Sequence, residues 1–392
     1  MLHLFFGRAM AAVADYHHHH PFELRTAAVA SCNKQHRPQP LWAAMLRQTP
    51  QAFFWAGDSV YPNRSDVDAL RAALQTQKAR PEYHEFRRRV PVISGTWDDH
   101  DLGINDAGRR ANRVDERRAA FLDFINATST YSAHEFGPPD RRVLFVLLDT
   151  RSYRDDHLVP SVGAWFRNIP GIGRFMPLVA AASRLFAGAL GLPRLFGFDG
   201  DVLGEDQWRW LETVLAGATP KKSAAAAPAA AAAAKFVVLV SSIQVTTSNP
   251  SFESWDHFPK AKDRLFEVLR RTKPNGLLVL SGDVHHAEIL GSSADVCGGF
   301  VEVTTSGMTH TLATSRLTRL LFPPLLRYFR AHRPLPTDYA TALNYARLTF
   351  DWDHLTLSVH VLGEEDRPLL RPVTVASCPF DDPPPSRCPQ RN

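Results

Sequence analysis

The chain has 392 residues, 44% of them hydrophobic and 22% charged, a balance that supports a large buried core and excludes a wholly disordered or fibrous protein. Its net charge of +5 comes from arginines scattered along the sequence; this is compatible with an anionic substrate, and no nucleic-acid-binding module is evident. Cys32, Cys297, Cys378 and Cys388 are too few and too far apart for a disulfide framework or a zinc finger, and they do not reveal the compartment.

Residues 1–14 are apolar but broken by His3 and Arg8, and they lack a basic stretch ahead of the apolar part, so no clear signal peptide is read. Residues 1–22 are expected to form a poorly ordered N-terminal segment, including a histidine run at 17–20 that reads either as a loose metal binder or as a plain polar tract, with no catalytic role. Apolar β-type runs then end abruptly in small or polar residues at 26–31, 52–58, 90–95, 143–149, 236–242 and 276–283, the pattern of buried strands feeding loops. Between them, residues 66–77, 113–125, 205–215 and 260–271 space their apolar residues for one helical face, and the last of these meets a stop at Pro274. This alternation predicts an α/β protein.

Two stretches interrupt the pattern. Residues 159–200 are rich in Phe, Leu, Pro and Gly with arginines spaced through them, which fits either a lid that packs on the core or peripheral contact with a membrane surface. The same two readings apply to residues 317–330. Residues 216–235 are nearly all alanine and read as a low-complexity loop. Short strands are expected at 300–305, 346–351 and 355–361, the last two forming a hairpin through Trp352, Asp353 and His354. One domain over residues 23–380, with insertions near 159–200, 216–235 and 312–340, is followed by a proline-rich tail at 381–392. No run reaches the about 20 apolar residues of a transmembrane helix.

Three strand ends carry ligand-type side chains. Gly57-Asp58 closes the first, Asp98-Asp99-His100-Asp101 follows the second, and Gly282-Asp283-Val284-His285 follows the third. Packing so many carboxylates together is costly unless cations or solvent compensate them. Asp283 and His285, two residues apart, can present oxygen and nitrogen from one side of an extended turn. A shared metal site at one end of a sheet accounts for all three clusters.

The ordered set resembles the PhoD-like branch of the metallophosphoesterase superfamily: Ser31-Cys32-Asn33, Gly57-Asp58 with Tyr61, Trp97-Asp98-Asp99-His100-Asp101 and Ser281-Gly282-Asp283-Val284-His285. Further matches are Leu148-Asp149-Thr150-Arg151, Leu203-Gly204-Glu205-Asp206-Gln207-Trp208, Ser241-Ser242-Ile243-Gln244-Val245, Glu253-Ser254-Trp255 and the segment from Glu302 to His310. The resemblance implies a four-layer αββα sandwich with two facing sheets. It also implies Cys32, Asp58, Tyr61, Asp99, Asp283 and His285 as metal ligands, with Asp58 between two metals, and His100 beside the phosphate or leaving group. Asn105 and Gln244 are further candidates, Asn105 being equally suited to a turn after Gly103. Arg151 is a candidate phosphate clamp, or else a structural ion pair with Asp149 or Asp155.

Two or more metal ions are implied. Iron with calcium is what the resemblance implies for Cys32 with Tyr61 nearby, with other divalent metals open. The implied activity is hydrolysis of a phosphorylated small molecule or lipid by a metal-bound hydroxide, as in a PhoD-like alkaline phosphatase. Two alternatives are a phosphodiesterase or phospholipase-type hydrolase working at a membrane surface and a noncatalytic binding protein on the same fold. An extracytoplasmic or endomembrane location stays open.

Overall fold

The computed structural model describes residues 16–103, 105–158, 176–218, 233–291, 301–314, 316–328 and 332–377. Its apolar runs form two sheets. The eight-stranded sheet contains β1 (His17–His20), β5 (Ser132–Phe136), β6 (Val143–Leu148), β7 (Phe236–Ser241), β8 (Leu277–Ser281), β9 (Ala287–Gly291), β10 (Val301–Thr304) and β11 (Tyr339–Ala340). Their order is β1-β5-β6-β7-β8-β10-β9-β11. The six-stranded sheet contains β2 (Thr26–Ala30), β3 (Ala52–Ala56), β4 (Val92–Thr96), β12 (Tyr345–Asp351), β13 (Thr356–Leu362) and β14 (Val373–Ala376). Here the order is β14-β13-β12-β2-β3-β4.

Strands β3, β6, β7 and β8 are buried at every position because both of their faces are covered. One face of each sheet meets the other sheet. Ala27, Val29, Phe54 and Ala56 pack there against Phe145, Leu147, Val238, Val240, Leu278 and Leu280, and the rings of Phe54 and Phe145 stack with centroids 4.4 Å apart. Cutting a ring such as Phe54 back to alanine would cost about 3–5 kcal/mol.

The outer faces carry the helices. Trp208, Leu211 and Leu215 of α7 (Glu205–Gly217) and Leu265, Val268 and Leu269 of α8 (Pro259–Thr272) cover the eight-stranded sheet. Trp42 of α1 (Leu41–Arg47), Leu70 and Leu74 of α2 (Val67–Ala79), Phe86 of α3 (Pro81–Arg89) and Phe121 and Phe124 of α4 (Val114–Ile125) cover the six-stranded one. Asp66 caps α2 by accepting from the Ala69 amide at 2.8 Å, and α8 ends at the left-handed Lys273, one residue before Pro274. The result is the four-layer αββα sandwich that the sequence implied.

Several expectations fall partly outside the described residues. Of the N-terminal segment, residues 1–15 lie outside, while the histidine run forms the edge strand β1, paired in parallel with β5. Of the first insertion, 159–175 lie outside, and the rest contains α5 (Met176–Ala189) and α6 (Leu192–Leu195). The alanine-rich stretch at 219–232 and the tail from 378, with Cys378 and Cys388, lie outside, as does Cys297. The arginine-interleaved stretch contains α9 (Arg316–Tyr328). Among the described residues, no helix is long and apolar enough to cross a membrane.

Candidate metal centre

Strands β2, β3 and β4 are parallel and in register, with Ala30 opposite Trp55 and Ala56 opposite Thr96. Cys32, Asp58 and Asp98 each come two residues past the end of one of them, so their side chains leave the sheet at one edge. The other sheet repeats the arrangement, with Asp283 two residues past β8 and Ser306 two past β10. Four of the side chains sit on left-handed backbone: φ is 62° at Cys32, 54° at Asp58, 68° at Asp283 and 57° at His285. Such a conformation costs a residue with a Cβ about 1–2 kcal/mol, and its concentration at one place marks a geometry imposed by the surroundings.

The two loop sets are in close contact. A Cβ on Gly282 would lie 2.4 Å from the Ala56 carbonyl oxygen, and one on Gly57 would lie 2.9 Å from the Ser242 Cβ, so only glycine lets the sheets meet this tightly. Val284, between Asp283 and His285, is buried against Phe252, Leu312 and Leu326, which anchors that loop through α9.

Asp58 is fully buried at the centre. Its Oδ2 accepts from the Tyr61 hydroxyl and lies 3.6 Å from Cys32 Sγ, while its Oδ1 accepts from the His100 amide at 3.2 Å. The Tyr61 hydroxyl is also 3.0 Å from His285 Nε2, and Ser306 Oγ is 3.0 Å from Cys32 Sγ and accepts from the His285 amide at 2.7 Å. Among the described residues, four overlapping sets have ligand atoms within 4.8 Å of one another: Cys32, Asp58 and His285; Asp58, Asp98, Asp99 and Asp283; Asp58, Asp99 and His100; and Asp99, Asp106 and Glu253. Asp58 belongs to three of these sets.

The electrostatics follow from this crowding. Burial, then the charges of Asp99 and Asp98, pushes the Asp58 carboxyl well above its ordinary range, and burial with the same neighbours does so for Asp283. Asp98 is pushed up to about 6 by burial and by Asp99, against the opposing pull of Arg151. Burial and the Asp58 charge raise the Cys32 thiol, while burial pushes His285 down to about 3, a neutral imidazole suited to ligation. Asp98 Oδ2 and Asp99 Oδ1 are buried without a hydrogen-bond partner. A cation would satisfy both the unpartnered oxygens and the repulsion.

Other predicted residues have distinct places. The His100 ring packs on Tyr61 with centroids 4.1 Å apart. Arg151 is fully buried; it binds Asp98 Oδ1, Glu253 Oε2 at 2.8 Å and the Ala107 carbonyl, and its Nη2 has no hydrogen-bond partner. Neither of the expected partners takes that guanidinium: Asp149 accepts from the Arg151 amide at 2.9 Å, and Asp155 pairs with Arg109. Asn105 is half-buried in the turn before Asp106. Gln244 stands apart from these sets, donating to Glu288 at 3.0 Å and to Thr304 at 2.9 Å.

Asp98, Asp106, Glu253 and Ser306 were not singled out as ligands from the sequence. Asp98 had a usable signal, since its distance from the strand end equals that of Cys32 and Asp58. Glu253 follows no strand, and although Glu253-Ser254-Trp255 matches the family its partners are seen only in space, where Arg151, Arg154 and His157 surround it at 2.8, 3.2 and 3.1 Å.

A family model described as PhoD-like phosphatase matches residues 27–321, which include every one of these side chains. The chain belongs to the PhoD-like phosphatase family. It is 23% identical over 300 residues to alkaline phosphatase D of Bacillus subtilis (strain 168), a match covering 66% of this chain and 46% of that protein. The chain thus spans about half the length of that curated relative of this PhoD-like protein. A solved structure titled "Structure of PhoD" superposes with a TM-score of 0.57 at 16% identity, covering 91% of this chain and 73% of that one, which shows a shared fold.

Proposed function

We propose that this PhoD-like protein hydrolyses phosphate esters at the seam between its two sheets, using two or more cations. The observation that carries this reading is the sharing of Asp58 between a thiol-imidazole set and a carboxylate set. The donors fit the cations: Cys32, Tyr61 and His285 with Asp58 suit iron, and Asp58, Asp98, Asp99 and Asp283 suit a hard ion such as calcium. Bound there, the cations would acidify water and neutralise phosphoryl oxygens.

The chain's own groups do the rest. Asp58 ties the two sets together, and the His100 amide and Tyr61 hydroxyl fix its orientation. The half-buried His100 ring lies against Tyr61, where it can donate a hydrogen bond to the leaving oxygen. Arg151 holds Asp98 and Glu253 in place and so acts as a positioning residue. Its free Nη2 is the part still available to a phosphoryl oxygen.

Elemental analysis and turnover of aryl phosphate monoesters and diesters on the same preparation test the reading. Asp58→Asn should lower turnover by on the order of a thousandfold or more while the protein still folds. Near-normal hydrolysis by that variant would overturn it, and less than one metal per chain with neither ester hydrolysed would leave a noncatalytic binding protein.

A second reading is favoured by the exposed Phe186, Leu190, Leu195 and Phe196, which lie on or just after α5 and α6, α5 also bringing Arg184 to within 2.6 Å of Asp106. On that reading the substrate is a diester in a lipid surface, and diester turnover would rise when vesicles are supplied.

A further inference from the structure

The histidine run plays no part in the metal centre, yet its fold gives it a defined geometry. In a strand, successive side chains point to opposite faces, so four consecutive histidines divide into two pairs. His18 and His20 turn inward to His134, whose ring stacks on His18 with centroids 4.6 Å apart. His134 also lies 3.2 Å from His20 Nε2 and accepts or donates to Ser132 Oγ at 3.2 Å, so this face is already hydrogen-bonded.

The other face is different. His17 and His19 stack nearly parallel, with ring centroids 4.6 Å apart at an interplanar angle of 8°. The parallel pairing of β1 with β5 puts Glu135 opposite His19. His17 Nε2 lies 3.7 Å from Glu135 Oε2 and His19 Nδ1 lies 3.3 Å from Oε1, and all three ligand atoms are within 4.8 Å of one another. A tetrahedral zinc ion, with bonds of about 2.0–2.1 Å, sets its ligand atoms roughly 3.3–3.5 Å apart; the two imidazole nitrogens stand 3.7 and 3.3 Å from the carboxylate oxygens they face. His17 Nε2 is itself buried and has no hydrogen-bond partner. Arg142 Nε stands 3.3 Å from Glu135 Oε1, the oxygen that also faces His19, while Oε2 faces His17.

We propose that His17, His19 and Glu135 form a second metal site, for a zinc-class ion, that clips the N-terminal strand to the edge of the eight-stranded sheet. Two imidazoles and a carboxylate are the donor set such ions prefer, and they leave a fourth position for water. The site shares no residue with the centre at the strand ends and is independent of the phosphatase reading. The edge strand needs such a tie, because its four residues pair on one side only, with β5.

Zinc titrated into protein whose strand-end centre is already loaded tests this by calorimetry and elemental analysis. The wild type should take up one equivalent more than His17→Ala/His19→Ala, and Glu135→Gln should weaken that binding by about tenfold or more. Unchanged ester turnover in the variants verifies that they fold. Equal zinc uptake by the double variant would overturn the proposal, as would wild-type affinity in Glu135→Gln, which would mean an unstructured histidine run binds the ion. Hydrogen exchange on the unaltered chain supplies a reading without substitutions. Zinc should slow exchange at residues 17–20 and 132–136, and no change there would count against the site.

Discussion

Cys32 Sγ lies 3.6 Å from Asp58 Oδ2, and the two residues occupy equivalent places on neighbouring parallel strands, each two positions beyond the strand end and each on left-handed backbone. Replacing Cys32 by alanine removes the only sulfur donor among the described residues of the centre. On the assignment proposed above, Cys32→Ala should lose about one equivalent of iron per chain while the cation on the carboxylate side is retained. Elemental analysis checks this, and unchanged iron would make Cys32 a packing residue.

Metal removal should destabilise the protein more as pH rises. Asp58, Asp98 and Asp283 have raised carboxyl values in the fold, because burial and mutual repulsion disfavour their charged forms. Their contribution to stability is fully present below the unfolded value of about 3.9 and is lost as pH climbs through the folded values, about 6 for Asp98. A bound cation cancels the repulsion. Thermal melts of chelated and metal-loaded protein at pH 5 to 8 should thus diverge steadily, and parallel curves would contradict the crowding argument.

Glu253 behaves in the opposite sense. Burial alone would raise its carboxyl, but Arg151, Arg154 and His157 together hold it well below the ordinary range. Its contribution is present above the unfolded value of about 4.3 and disappears as pH falls toward the lower folded value. Glu253→Gln leaves two buried guanidinium groups undercompensated and should cost about 3–5 kcal/mol in denaturant melts at pH 7. The variant should also lose the part of the wild type's expected acid limb that Glu253 contributes.

Gly282→Ala tests the contact between the sheets. The new methyl would sit 2.4 Å from the Ala56 carbonyl and 2.6 Å from Ser31 Oγ, and the backbone carbonyl can yield only if the β8 loop withdraws from the ends of β2 and β3. We expect a loss of about 1–3 kcal/mol from overpacking. Turnover should fall on the order of a hundredfold, because Asp283 moves with the loop. A variant with ordinary turnover and a lowered melting temperature would separate packing from catalysis.

The parts of the fold that were legible in the sequence are those where local pattern and tertiary burial coincide. The all-apolar strands β3, β6, β7 and β8 lie between two layers and so read as continuous apolar runs. Strands β1 (HHHH) and β5 (SAHEF) lack that composition and exist because the sheet continues past β6, which no local window contains. Helix α3 (PEYHEFRRR) is held by only two buried aromatics, Tyr83 and Phe86, too few to set a period. At the centre, Asp58, Asp283 and His285 were readable because glycine and a strand end bracket them. Arg151 was readable as a phosphate clamp or an ion-pair partner, but its partners Asp98 and Glu253 were not, because those contacts join residues 53 and 102 positions away.

The placement of β12 has a consequence for synthesis. Strand β2, which leads directly into Cys32, is flanked on one side by β3 and on the other by β12, a segment more than 300 residues later. While the polypeptide is emerging from the ribosome, β2 remains an open sheet edge until residues 345–351 arrive. Pairing over such a separation is slow, so maturation of the thiol side should lag behind translation of nearly the whole chain. A cation offered to a nascent polypeptide would meet the carboxylates of Asp58, Asp98 and Asp99 before the strand that presents the Cys32 sulfur has been enclosed.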